Sequence, residues 1–283
     1  MITRRLFLTQ ATAGIAIAAS PGRGLASAPP GIRIGSCSIG TLDAAREAGL
    51  DGIELNAGRK PAERLELSEP AVLAAHKAKM KETGIVVSSI MMGIFNSCPL
   101  ATEPLAPAWL EQTIGAAAEL GAGVILVAFF GKGSLLDEQR QPKRADIDSV
   151  VARIKAAAPL AKKAGVTLGI ENTLSAQQNI EILDRIGHDA VKIYYDIFNL
   201  YGQGYDVPAE IRLLRDRIAI FHFKNGPDYL DNGEVKFEPA VAAIKEIGYR
   251  GWVVLETSSP SKDKVADARR NAAHVRKLFG LPA

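Results

Sequence analysis

The sequence is short of the features that mark several protein classes. Cysteine occurs only twice, at Cys37 and Cys98, and two thiols in a chain long enough to build a hydrophobic core do not make a disulfide framework. Both are expected to be free. Beyond the first thirty residues there is no Pro-, Gly- or Ser-rich linker and no long run of like charge, which favours one domain over two joined by a tether. No segment is long and apolar enough to span a bilayer. The 47% hydrophobic and 23% charged content excludes disordered and fibrous chains.

An excess of charge is missing too. Arg4, Arg5 and Arg23 are the only charged residues before Ala28, and without them 31 basic residues face 31 acidic ones. The formal +3 therefore belongs to the N-terminus, and nothing electrostatic favours nucleic acid or an anionic membrane as a partner. That N-terminus has the layout of a targeting signal. Paired arginines precede a weakly apolar stretch over 11–19, and Ala26-Ser27-Ala28 offers a small-residue cleavage site. The pattern resembles a twin-arginine export signal. It predicts a signal over 1–28 and a mature domain over 29–283, exported to the periplasm or the exterior and without a membrane anchor once cleaved.

What is present is a repeated junction, a helical stretch closed by Gly and followed at once by an apolar strand. It occurs at Gly49, Gly84, Gly121, Gly165 and Gly248, where a left-handed residue closing the helix suits glycine. The strands that follow are predicted near 52–55, 85–88, 124–127, 166–171 and 252–256. Three more are predicted over 32–37, 191–196 and 218–224. About eight strands alternating with helices in a chain of this length predict an α/β fold with a parallel sheet, a single eight-stranded (β/α)8 TIM barrel. A doubly wound open sheet would carry a glycine-rich phosphate loop after its first strand, and Gly35-Ser36-Cys37-Ser38-Ile39-Gly40 is not one.

Four strands of the second half end in metal-ligand residue types: Glu171, Asp196, His222 and Glu256. A barrel gathers its reactive groups at the carboxyl ends of its strands. Alternation gives an independent check. If these four point inward, their neighbours Leu168, Ile170, Ile193, Tyr195, Ala219, Phe221, Val253 and Leu255 point out toward the helices, and all are apolar or aromatic. The inward face then carries Thr167, Lys192, Tyr194 and Lys224. A lone acid at a strand end is ordinarily a solvated loop residue or a helix cap, and a lone histidine is more often structural. Four at successive strand ends in one register reverse those odds. Three carboxylates and one imidazole favour Mn2+ or Mg2+, with Co2+ or Zn2+ as alternatives.

Ile170-Glu171-Asn172, Tyr195-Asp196-Ile197-Phe198-Asn199, Phe221-His222-Phe223-Lys224 and Val254-Leu255-Glu256 resemble the metal motifs of sugar isomerases and epimerases with the xylose-isomerase-like barrel. The stretch from Gly233 through Phe237 to Gly248-Tyr249-Arg250-Gly251 is similar to that family's approach to its last strand, and the likeness covers essentially the whole mature chain. The resemblance implies a metal-dependent enzyme acting on a small carbohydrate. Glu171 and Glu256 would be both ligands and the catalytic pair that removes and returns a proton beside a carbonyl, through an enediolate. Several positions depart from the ketose 3-epimerase branch: Asn199 stands where His is frequent, Asn225 where an acid commonly follows the Lys, and Thr173 to Gln177 replace charged residues.

Lys224, Asn199, Glu54 and Asn172 are the candidate substrate-binding residues; for Lys224 a salt bridge at the core rim is an equal alternative. Glu54 and Asn56 end the second strand and are expected near the pocket. Met91, Met92, Phe95, Phe129 and Phe130 are candidates for an apolar wall or for plain core. Gly131-Lys132-Gly133-Ser134 lacks the phosphate-loop spacing and reads as a flexible turn. The leading function is an exported sugar isomerase or epimerase. A lyase or dehydratase on a keto-sugar or inositol derivative with the same metal site comes second. An apurinic-site endonuclease needs more histidines than the four present, and a non-catalytic sugar-binding protein is the remaining class. Substrate, stereochemistry and oligomeric state stay open.

Overall fold

The computed structural model describes residues 31–282, so the expected export signal lies outside the described residues. Eight parallel strands close into one barrel in sequence order: β1 (Ile32–Ser36), β2 (Gly52–Asn56), β3 (Val86–Met92), β4 (Val124–Ala128), β5 (Thr167–Glu171), β6 (Val191–Asp196), β7 (Ile218–Phe223) and β8 (Gly251–Leu255). The helices around them are α1 (Leu42–Glu47), α2 (Pro70–Thr83), α3 (Ala106–Leu120), α4 (Arg144–Lys163), α5 (Ala176–Ile186), α6 (Ile197–Tyr201), α7 (Val207–Leu214), α8 (Phe237–Glu246) and α9 (Lys264–Phe279). This is the predicted TIM barrel. No helix among the described residues is long and apolar enough to cross a membrane.

Local chemistry sets the helix boundaries. Prolines at the first turns of α2, α3 and α7 stand where an amide N–H would have no intrahelical partner. A reciprocal Ser175–Gln178 capping box opens α5. All five predicted junction glycines have positive φ, between 68° and 75°.

The strand residues alternate between two packed layers, as predicted. Leu168, Ile170, Ile193, Tyr195, Phe221, Val253 and Leu255 belong to the core between strands and helices. Leu126, Ala128, Tyr194, Ile220 and Val254 form a smaller cluster inside the barrel. Ala219 breaks the pattern, being only half-buried. The β6–β7 register shifts between Ile193 and Tyr194, passing from Ile218 to Ile220 on the facing strand. The β2–β3 register shifts likewise between Ile53 and Glu54. Near the N-terminal end, the Arg33 guanidinium lies 3.9 Å from the Trp252 ring centroid. A Cβ on Gly52 would lie 2.6 Å from Trp252 Cη2, so glycine is what admits that ring.

Two local expectations change. The Gly131–Gly133 segment is a one-turn 3-10 helix seated on the preceding loop, not a flexible turn. A Cβ on Gly133 would fall 2.3 Å from Phe95 O, and backbone approach that close leaves no room for a side chain. The apolar wall divides by face. Met92, Phe95 and Phe129 are buried in the outer core, whereas Met91 and Phe130 pack against the inner cluster.

Candidate metal centre

The barrel brings four of the predicted residues to one point at its C-terminal mouth. Glu171 closes β5, Asp196 closes β6, His222 is next to last in β7, and Glu256 follows β8. One donor atom from each lies within 4.8 Å of the others. His222 Nδ1 is 3.3 Å from Glu171 Oε1, 3.5 Å from Glu256 Oε2 and 3.8 Å from Asp196 Oδ2. Local structure aims each group. Asp196 is the N-cap of α6, and its Oδ1 accepts from Asn199 N at 2.7 Å, which turns Oδ2 toward the cluster. Glu256 N donates to Phe223 O, extending the ladder one residue past β8.

Charge is concentrated here with little water to disperse it. Glu171, Asp196 and His222 are all buried. Burial pushes the Glu171 carboxyl up to about 7 against the pull of His222. Burial likewise raises Asp196 to about 6 despite Lys224 and His222. Glu256 is also penalised by burial, but His222 and Lys224 outweigh this and hold it below the usual carboxylate range. Burial opposes the charged His222 imidazole; the carboxylates of Glu54, Glu256 and Glu171 overcome it and raise the ring well above its ordinary value. Asp196 Oδ2 is buried without a hydrogen bond, and its nearest positive group is Lys224 Nζ at 3.1 Å. Three converging carboxylates, one of them with an unpartnered buried oxygen, suit a divalent cation held by oxygen and imidazole ligands.

The substrate-binding candidates separate. Lys224 sits in the cluster, its Nζ 2.7 Å from Glu256 Oε2. Asn199 is half-buried just beyond Asp196. Asn172 has both ends of its amide engaged, Nδ2 donating to Asn179 Oδ1 and Oδ1 accepting from Leu174 N, each at 2.8 Å; it shapes the turn into α5. Asn56 accepts from Gly58 N. Glu54 lies on the other side of the His222 ring, fully buried, its Oε1 3.3 Å from His222 Nε2. Three neighbours escaped the sequence argument as site residues. Ser89 donates to Glu54 Oε2 at 2.6 Å and Tyr194 donates to the same oxygen at 2.7 Å. Cys37 Sγ lies within 4.8 Å of donors on Glu54 and His222; burial pushes its thiol pKa up, and both cysteines are free. Tyr194 stands on the predicted inward face. The signal for Ser89 was a pair of serines inside an otherwise apolar strand.

Residues 42–278 match the family described as the xylose isomerase-like TIM barrel, and the chain belongs to that family. It is 24% identical over 200 residues to a 2-epi-5-epi-valiolone 7-phosphate 2-epimerase of an Actinoplanes species, a match covering 69% of this chain and 70% of that one. Among solved structures, an L-ribulose 3-epimerase superposes with a TM-score of 0.73 at 23% identity, over 88% of this chain and 95% of that one. A 3-keto-D-glucoside 4-epimerase from E. coli superposes with a TM-score of 0.74 at 17% identity, over 87% and 99%. At these identities the two structures establish the fold.

Proposed function

We propose that the chain is a metal-dependent sugar isomerase or epimerase that moves a proton on the carbon next to a carbonyl. The observation carrying this reading is the pair of glutamates in one four-donor cluster, each with an oxygen to spare. Glu171 Oε1 faces His222 and Glu256 Oε2 faces Lys224. The second oxygen of each makes no hydrogen bond among the described residues. Those oxygens are the ones to take a proton from the substrate carbon and to return one. Glu171, Asp196, His222 and Glu256 would hold the cation, Mn2+ or Mg2+ by their donor set. When bound, it would supply positive charge against the negative charge that develops on the carbonyl oxygen as the C–H bond breaks. Lys224, ion-paired with Asp196 and Glu256, favours the ionised form of each and holds them in place. Met91 and Phe130 give the mouth an apolar side for the sugar's C–H face. The similar proteins named above are all called epimerases, which supports the reaction class. The paired arginines near the N-terminus support export by the twin-arginine route. His76 on α2, His188 before β6 and His274 on α9 stand apart from the cluster, which argues against a histidine-rich hydrolytic centre.

The test is deuterium incorporation. Purified Mn2+-loaded protein is incubated with ketoses, aldoses and keto-sugars in D2O, and exchange at carbon is read by NMR. Uptake next to the carbonyl is expected. No uptake on any sugar would sink the proposal, and an unsaturated, ultraviolet-absorbing product would move the assignment to the lyase.

A further inference from the structure

His222 presents two nitrogens to two different neighbourhoods. Nδ1 faces Glu171, Asp196 and Glu256, while Nε2 faces Glu54. We propose that Glu54 is a positioning residue for the metal centre: it takes the Nε2–H of His222 and thereby fixes the tautomer that leaves Nδ1 free to ligate. The inference rests on the reading of the four-donor cluster as a cation site. It moves Glu54 out of the substrate pocket.

Four observations carry it. The Glu54 side chain is fully buried behind the His222 ring, with Oε1 on the Nε2 side, while the other three carboxylates face Nδ1. Its Oε2 is already held by two hydroxyl donors, Ser89 and Tyr194, which aims Oε1 at the imidazole. The Tyr194 ring packs edge-on against His222, centroids 4.5 Å apart at 62°, and fixes the ring plane. Finally, the two register shifts recorded among the described strands fall immediately before Glu54 and immediately before Tyr194. Bulges re-aim side chains beside functional sites. The first sets Glu54 opposite Ser89 instead of Ser88, and the second sets Tyr194 opposite Ile220 and Asp196 opposite His222. A histidine ligand whose second nitrogen donates to a carboxylate is a general way of orienting the ring and raising its basicity.

The rival assignment is a second cation held by Cys37, Glu54 and His222. It would have to come between Glu54 Oε1 and His222 Nε2, which already face each other at 3.3 Å, and Cys37 Sγ already lies 3.7 Å from Leu255 O.

The test reads binding and spectroscopy, not turnover. In Mg2+-loaded protein, 15N-histidine NMR is expected to show His222 protonated at Nε2 and unprotonated at Nδ1; the opposite tautomer overturns the proposal. Mn2+ titration is expected to give one equivalent, with Glu54→Ala weakening it about 10–100-fold. Glu54→Gln, whose amide oxygen still accepts from Nε2–H, should recover part of that loss. If Glu54→Ala does not fold, Ser89→Ala and Tyr194→Phe release Oε2 and should each weaken Mn2+ by a few-fold, roughly the worth of one hydrogen bond. Unchanged affinity in all the folded variants overturns this inference alone. Failure of the wild type to retain Mn2+ overturns the cation site together with it. Two equivalents, falling to one in Cys37→Ser, would give Glu54 to a second cation instead.

Discussion

Strands β5–β8 and strands β1–β4 are built from the same repeating unit but end differently. The first set carries Glu171, Asp196, His222 and Glu256 at or within one residue of its tips. The second set ends in Ser36, Asn56, Met92 and Ala128. Its one inward carboxylate on the cluster, Glu54, lies two residues below the end of β2. At a rise of about 3.3 Å per residue, two residues amount to roughly 7 Å of depth along the strand. That depth separates a carboxylate in the mouth from one beneath the imidazole. One half of the barrel therefore presents donors, and the other half supports them and supplies apolar surface at Met91 and Phe130.

The comparison is most exposed at the two glutamates of the donor half. Replacing either Glu171 or Glu256 with Gln keeps the shape and removes the exchangeable proton site. The expected loss is on the order of 10²–10⁴ in kcat, measured on whichever sugar shows deuterium exchange. A variant within a few-fold of wild type would end the claim that this half does the chemistry.

The supporting half can be split at adjacent residues. Phe129 is buried in the outer core and Phe130 faces the inner cluster. Phe129→Ala is expected to cost about 3–5 kcal/mol in urea unfolding. Phe130→Ala should cost much less and act mainly on KM. Equal stability losses would erase the distinction between core and wall.

The smallest effect expected is a pH dependence. Glu171 and Asp196 are raised by burial from 4.5 to about 7 and from 3.8 to about 6. Between those limits the folded metal-free protein binds more protons than the unfolded chain, so these two groups make it less stable as pH rises. Glu256 is lowered, and its contribution is already complete above 4.5. His222 is raised; its contribution is constant below 6.5 and lost as pH climbs through the higher folded value. A divalent cation displaces those protons. The Tm difference between Mn2+-loaded and EDTA-treated protein should therefore widen steadily from pH 4.5 to 7.5. A constant difference would show that the carboxylates are not the groups the cation engages.

Much of the site was legible in the sequence. Alternation placed Glu171, Asp196, His222 and Glu256 inward, and the buried neighbours Ile170, Tyr195, Phe221 and Leu255 lie outward as that rule requires. The wall candidates were not separable, because β3 runs to Met92 and the loops after it follow no alternation. Asn172 read as a pocket residue by its place after Glu171, while its amide is bound within the turn to α5.

By itself the sequence determined the barrel, the inward face of the four strand-tip ligands and the residue types that meet at the mouth. These follow from two local periodicities and from the rule that strand tips converge. Only the tertiary structure decided depth: that Glu54 sits beneath His222, that Ser89 lines up with it, and that Lys224 joins the cluster. Depth depends on the stagger between neighbouring strands, and the extra residues Ser88 of β3 and Ala219 of β7, opposite the steps into Glu54 and Tyr194, shift that stagger by a residue. Hydrogen bonds between segments far apart in the chain set it, and no local pattern records them.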